Sequence, residues 1–130
     1  MDLPDNQPGS LLDPEQITML IEAGADNSLD LFIEILALFE EESRAKLAEL
    51  KACRDIGQYE SLGRAAHALA GSSANIGARQ LWQDAKAMEN LCREGKGRDA
   101  AEKIPLLEEV LEESLIQLRQ FVSGLDTSSQ

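Results

Sequence analysis

Apolar residues recur every three or four positions through most of this chain, and no other feature of the sequence constrains the fold as strongly. The longest such segment begins after Asn27 or Ser28 and continues to about Ile56. Its recurring apolar or small residues are Leu29, Phe32, Leu36, Phe39, Ser43, Leu47 and Leu50. This spacing marks one face of an α-helix, which completes a turn in roughly 3.6 residues. The chain must therefore bury a long helix face against other elements.

The same period returns in other segments that are separated by helix-ending signals. A short leading helix is predicted from the N-cap Asp13 to Gly24. Further helices are predicted over about 59–76, 79–94 and 100–121, the first of them ending where a glycine can take the left-handed conformation. Each of these helices has a single apolar stripe that another helix must cover.

These segments predict an all-α fold, an antiparallel up-down-up-down four-helix bundle with a short additional N-terminal helix. Pro105 lies in the first turns of the last predicted helix, where a proline is tolerated or marks a small kink. We predict one domain over residues 12–125, with flexible polar tails over residues 1–11 and 126–130.

The charge balance excludes several classes of partner. The chain has 24 acidic and 12 basic residues and a formal net charge of −12, so nucleic acid and anionic membrane surfaces should repel it. Cys53 and Cys92 lack the spacing of a metal or redox motif, and we interpret them as packing residues in a reducing compartment. The first ten residues contain no apolar stretch, so we expect no signal peptide and a cytoplasmic location.

His67 is the only histidine of the chain, and its surroundings are unusual for a helix surface. If Leu62 defines the buried direction, His67 lies roughly 140° away, which predicts contact with water. Its neighbours at spacings of three, four and seven are Glu60, Gly63, Arg64, Ala70, Gly71 and Ala74.

Most of these neighbours are glycine or alanine, although Gly71 inside a helix costs about 1 kcal/mol relative to alanine. This composition predicts that a second macromolecule lays its backbone close to the imidazole, where a long side chain would block it. A surface histidine among good helix formers without any function is the alternative interpretation. Ser73 is predicted to point inward and to bond back to a main-chain carbonyl.

The segment "HALAGSSANIGA", which begins at His67, resembles the signature of histidine-containing phosphotransfer (HPt) domains, roughly H-x-L-K-G-S-S-x-x-x-G-A. His67, Leu69, Gly71, Ser72, Ser73, Gly77 and Ala78 all match it. The order of the predicted helices is also similar to that family, so the resemblance covers roughly residues 12–125. It implies that His67 carries a phosphoryl group between aspartates of receiver domains in a two-component phosphorelay.

The resemblance also implies what else the reaction needs. The receiver domains of response regulators or hybrid sensor kinases would be the partners and would bring Mg²⁺, so no cofactor or metal of the chain's own is expected. Docking is expected between the second and third helices, through Gly63, Ala70, Gly71 and Ala74, with Glu60 and Arg64 at the rim. No nucleotide-binding motif occurs in the sequence, so we expect a phosphotransfer intermediate that does not use ATP. We also expect the protein to be a monomer.

One position departs from the family pattern. The family usually has a lysine three residues after the histidine, which is taken to help hold the phosphoryl group, and this chain has Ala70 there. Arg64, Lys86 and Arg93 are the candidate replacements for its charge. The departure keeps a second function open, a helical adaptor that binds receivers without transferring phosphate. A di-iron bundle enzyme is disfavoured, because its site needs Glu-x-x-His pairs on two helices.

Overall fold

Six helices form within residues 10–24 and 28–128, which are the residues that the computed structural model describes. In chain order they are α1 (Pro14–Glu22), α2 (Ser28–Ile56), α3 (Tyr59–Ile76), α4 (Arg79–Arg93), α5 (Gly97–Glu102) and α6 (Ile104–Ser128). The predicted limits of the second, third and fourth helices agree with α2, α3 and α4 to within one residue.

The four longest helices close into a bundle. α2 packs against α3 and α6, and α4 also packs against α3 and α6, so each helix has two neighbours in a ring. Short links join α2 to α3 and α3 to α4, which makes these neighbours antiparallel. The predicted four-helix bundle is confirmed. The largest side chains in its core are Phe32, Leu50, Leu62, Leu69, Ile76, Leu81, Met88, Ile104, Leu107, Leu111 and Leu115.

The leading helix α1 is attached at the corner where α3 turns into α4. The Asp13 carboxylate accepts a hydrogen bond from the Gln16 N–H at 3.3 Å, as its predicted N-cap role requires. The Asp13 N–H donates to the carbonyl of Gly77 at 2.8 Å, and the Gln80 N–H donates to the carbonyl of Leu11 at 3.1 Å. Leu11, predicted to belong to a flexible tail, is thus bound to α4, whereas residues 1–9 of that tail lie outside the described residues.

The predicted single helix over 100–121 is wrong in its first part, where two helices occur. α5 ends at Glu102, and the Lys103 N–H bonds to the carbonyl of Ala100 at 3.0 Å, a three-residue spacing that tightens the turn. Pro105 has no N–H to continue the ladder of α5, so the chain begins α6 instead. α6 continues to Ser128, past the domain boundary predicted at residue 125.

Candidate functional site

His67 lies near the middle of α3, on the side that borders α4. Its side chain is 69% exposed, which confirms the predicted contact with water. The ring nitrogen Nδ1 lies 2.9 Å from Oε2 of Glu89, which α4 presents across the helix interface. The ring is therefore open to solvent on one edge and anchored on the other.

Glu89 is a buried carboxylate with three cationic or ring partners. Its side chain is only 7% exposed, and it contacts Nζ of Lys86 at 3.4 Å and a guanidinium nitrogen of Arg93 at 2.6 Å, in addition to His67. Burial alone raises the pKa of Glu89, but the hydrogen bonds from Lys86 and His67 outweigh burial, so the pKa of this carboxyl is lowered. Glu89 is consequently ionised at neutral pH.

An ionised carboxylate has no proton to donate, so the hydrogen bond requires His67 Nδ1 to carry the proton. The neutral ring then keeps its lone pair on Nε2, the nitrogen away from Glu89. This arrangement fixes one tautomer and presents a nucleophilic nitrogen to solvent. Glu89 supplies the orienting acceptor that the sequence could not identify.

An open cleft of about 500 Å³ lies beside the ring, between α3 and α4. Its walls combine two guanidinium groups, two carboxylates and the imidazole. The residues that line it are Glu60, Gly63, Arg64, His67, Glu89, Cys92 and Arg93. Burial raises the pKa of the Cys92 thiol, so this side chain stays protonated and uncharged in the cleft wall.

Two of the three predicted electrostatic residues meet at Glu89, and the third does not. Lys86 and Arg93 both contact the carboxylate that holds the ring. Arg64 instead donates to Glu60 at 3.1 Å and to the Ser61 hydroxyl at 3.0 Å, although it lines the same cleft as His67.

Two of the small residues predicted to lie around the ring are exposed. Gly71 and Ala74 are exposed, and a Cβ placed on Gly71 would meet no atom within 4 Å. No packing contact therefore requires a glycine at position 71. Because Gly71 is exposed and has no side chain, an approaching molecule has room above this part of α3.

Gly63 and Ala70 were expected on the exposed face, and both are buried. Ala70 is 3% exposed, and a Cβ on Gly63 would lie 2.9 Å from the Cβ of Cys92. Both residues lie on the flank of α3 that α4 covers, so close packing of the two helices explains their small size. Gly63 still borders the cleft beside His67, whereas Ala70 does not.

Glu89 and Ser73 show what sequence reasoning missed. Glu89 follows Ala85 by four positions, so it lies beside the apolar seam of α4. A carboxylate at such a position was the available sign of a buried polar partner.

Ser73 is buried as predicted, but its hydroxyl has no hydrogen-bond partner among the described residues, contrary to the expected bond to a carbonyl.

Neither a metal centre nor a membrane span is found in the described parts of the chain. Within residues 10–24 and 28–128 no group of three or more His, Cys, Asp or Glu side chains could hold a metal ion. No helix in the same ranges is long and apolar enough to cross a bilayer.

The chain is similar to known phosphotransfer proteins in sequence and in fold. Histidine-containing phosphotransfer protein B from Pseudomonas aeruginosa PAO1 is 26% identical, with a TM-score of 0.78 over 89% of this chain and 97% of that one. A maize histidine-containing phosphotransfer protein is also 26% identical, with a TM-score of 0.67 over 92% and 88% of the two chains. One from Medicago truncatula, at 21% identity and a TM-score of 0.71 over 92% and 84%, shares the fold.

A search of curated protein sequences found no match. The model of the Hpt domain family matches residues 34–121, a range that contains His67, Glu89 and both flanking cations. This match covers well over half of the chain, so the protein belongs to the Hpt domain family and functions in histidine phosphotransfer of two-component phosphorelays.

Proposed function

We propose that His67 is the phosphoacceptor of this chain. Nε2 attacks the phosphorus of a receiver aspartyl phosphate, the N–P bond forms, and the P–O bond breaks with its electron pair on the aspartate carboxylate. The ring becomes an imidazolium that keeps its proton on Nδ1. The reverse step returns the phosphoryl group to an aspartate of the same or another receiver.

The single observation that carries this proposal is the exposed ring whose Nδ1 is bound by a buried, ionised carboxylate. The contact leaves Nε2 as the free nucleophile, and Glu89 balances the positive charge that the ring acquires on phosphorylation. Because in-line phosphoryl transfer depends on positioning and on charge neutralisation, this chain needs only to hold the ring still and uncovered. The receiver supplies Mg²⁺.

The docking face that we propose combines α2 and α3. Arg44 and Lys51 of α2 pair with Glu112 and Glu108 of α6, so this flank of α2 faces α6 and the other flank borders α3. The exposed residues of these two helices include small ones, namely Ala45, Ala52, Ala68 and Gly71. Side chains of this size let a partner backbone approach the ring, and Arg64 stands at the rim.

HPt domain proteins interact with receiver domains in phosphorelays. We propose that it works as a monomer in the cytoplasm, with receivers of response regulators or hybrid kinases as its partners. The four apolar stripes that could have driven self-association are buried in one bundle.

The test is transfer from receiver domains loaded with radiolabelled acetyl phosphate to wild type and to His67→Gln. We expect acid-labile label on wild type and none on the variant, because glutamine offers no ring nitrogen as nucleophile. Binding of receivers without label on wild type would favour the adaptor function, for which Ala70 is the supporting feature. Label that persists on His67→Gln would contradict the assignment of the phosphoacceptor.

A further inference from the structure

Phosphorylation of His67 changes the competition for one carboxylate oxygen. Oε2 of Glu89 lies 2.9 Å from His67 Nδ1 and 2.6 Å from a guanidinium nitrogen of Arg93. In the unmodified protein, Nδ1 of the ring and a cationic guanidinium share this oxygen. Once Nε2 carries a phosphoryl group, the Nδ1–H belongs to an imidazolium, and its hydrogen bond to the carboxylate becomes charge-assisted and stronger.

Arg93 can leave Oε2 of Glu89 when His67 is phosphorylated. Its side chain is 66% exposed and lines the same cleft as the ring. The guanidinium nitrogen and Nδ1 are both in contact with Oε2, so they lie no further apart than the sum of the two contact distances. A flexible cation this close to the ring can reach oxygens attached through Nε2 by a change of rotamer.

We propose that Arg93 is the phosphoryl-binding cation of this chain and that Glu89 stores it until the group arrives. This inference rests on the proposed function of His67. On phosphorylation the imidazolium takes over Oε2, and the guanidinium of Arg93 moves from Glu89 to the phosphoryl oxygens. No proton enters or leaves the site, because the Nδ1 proton stays in place and the aspartate departs as a carboxylate.

The neighbouring cations fit this role less well. Lys86 contacts the other oxygen of Glu89, at 3.4 Å, and it does not line the cleft beside the ring. It therefore has no direct competition with Nδ1 and stays on the carboxylate when the ring becomes charged. Arg64 lines the cleft but is held by Glu60 and Ser61.

The test is a pH titration followed by phosphorus NMR on the 130-residue chain phosphorylated with potassium phosphoramidate. Wild type, Arg93→Gln, Arg93→Lys and the matched control Lys86→Gln are compared, and circular dichroism establishes that each variant is folded. A guanidinium on the phosphoryl group favours its dianion, so the midpoint should rise by about half a pH unit or more in Arg93→Gln. Arg93→Lys should restore part of this shift, and Lys86→Gln should titrate like wild type. The charged groups facing the phosphoryl group, Glu60 and Arg64 from α3 and Glu89 from α4, are the same in all four proteins.

An unchanged midpoint in Arg93→Gln, or a larger shift in Lys86→Gln, overturns the assignment of Arg93 and leaves the function of His67 standing. Failure of folded wild type to give a phosphohistidine signal, with phosphoramidate or with loaded receivers, overturns the proposed function and the inference with it.

Discussion

At the scale of single residues, the hydrogen bond between His67 and Glu89 determines which ring nitrogen can react. An amide at position 89 could also accept a hydrogen bond from Nδ1–H, but it would carry no charge. The carboxylate adds a negative charge that is almost fully buried, so its attraction to an imidazolium is weakly screened. A carboxylate at position 89 therefore both orients the ring of His67 and lowers the energy of the phosphorylated, positively charged ring.

Acid should weaken the protein through Glu89. The lowered pKa of this carboxyl means that Glu89 stabilises the fold above its unfolded value, near 4.5, and that this contribution is lost as pH falls through the folded value. In urea unfolding, the stability difference between wild type and Glu89→Gln should be largest near neutral pH. It should shrink as the pH is lowered below about 4.5. A difference that stays constant down to about pH 3 would contradict this linkage.

Gly71→Glu should separate folding from transfer. The added side chain meets open space, and a helix former replaces glycine, so the free energy of unfolding should rise by roughly half a kcal/mol. Transfer from a loaded receiver should fall at least about tenfold, because the side chain blocks the approach to His67.

The matched control is Gly124→Glu, at an exposed glycine of α6 where an added Cβ also meets open space. This variant should gain similar stability and transfer normally. Normal transfer by Gly71→Glu would show that the bare surface around the ring is not needed for docking.

At the scale of elements, the turn between α3 and α4 also holds α1. Gly77 has a φ of +87°, and a Cβ there would lie 2.6 Å from Cγ1 of Ile17 in α1. Gly57, between α2 and α3, has a φ of +70°, but a Cβ there would meet nothing within 4 Å. The two turns therefore share the backbone constraint and differ only in packing.

Denaturant unfolding of Gly77→Ala and Gly57→Ala should separate these effects. Both variants lose about 1–2 kcal/mol from the left-handed backbone, and Gly77→Ala should lose about 1–3 kcal/mol more from the clash with Ile17. Equal losses in the two variants would mean that α1 moves aside without cost.

The helices also show where local pattern fails. The ends of α2, α3 and α4 follow from residues such as Gly57 and Gly77, whose influence is local. The division between α5 and α6 was missed because Pro105 can lie in a first turn or interrupt a ladder. In the structure the ladder is interrupted, and the α5 residues Ala100 and Ala101 are buried. This burial depends on the tertiary structure, which the local sequence pattern does not contain.

At the scale of the whole molecule, the largest apolar side chains of the four long helices are buried within one bundle. Sedimentation velocity should therefore give a single species with the mass of one chain, 14.2 kDa, across the micromolar range. The net charge of −12 adds repulsion between copies, and the result should hold at low salt. A species of twice this mass would contradict the monomer.

The sequence by itself determined the helical period, the buried stripes, the exposed histidine and the resemblance carried by residues 67–78. These are properties of single helices, and an α-helix turns by a fixed angle per residue. Only the tertiary structure decided that Gly63 and Ala70 are covered and that Glu89 of α4 holds the ring of His67 in α3. The relative rotation of α3 and α4 sets these contacts, and it depends on how both helix surfaces pack, which neither stripe specifies alone.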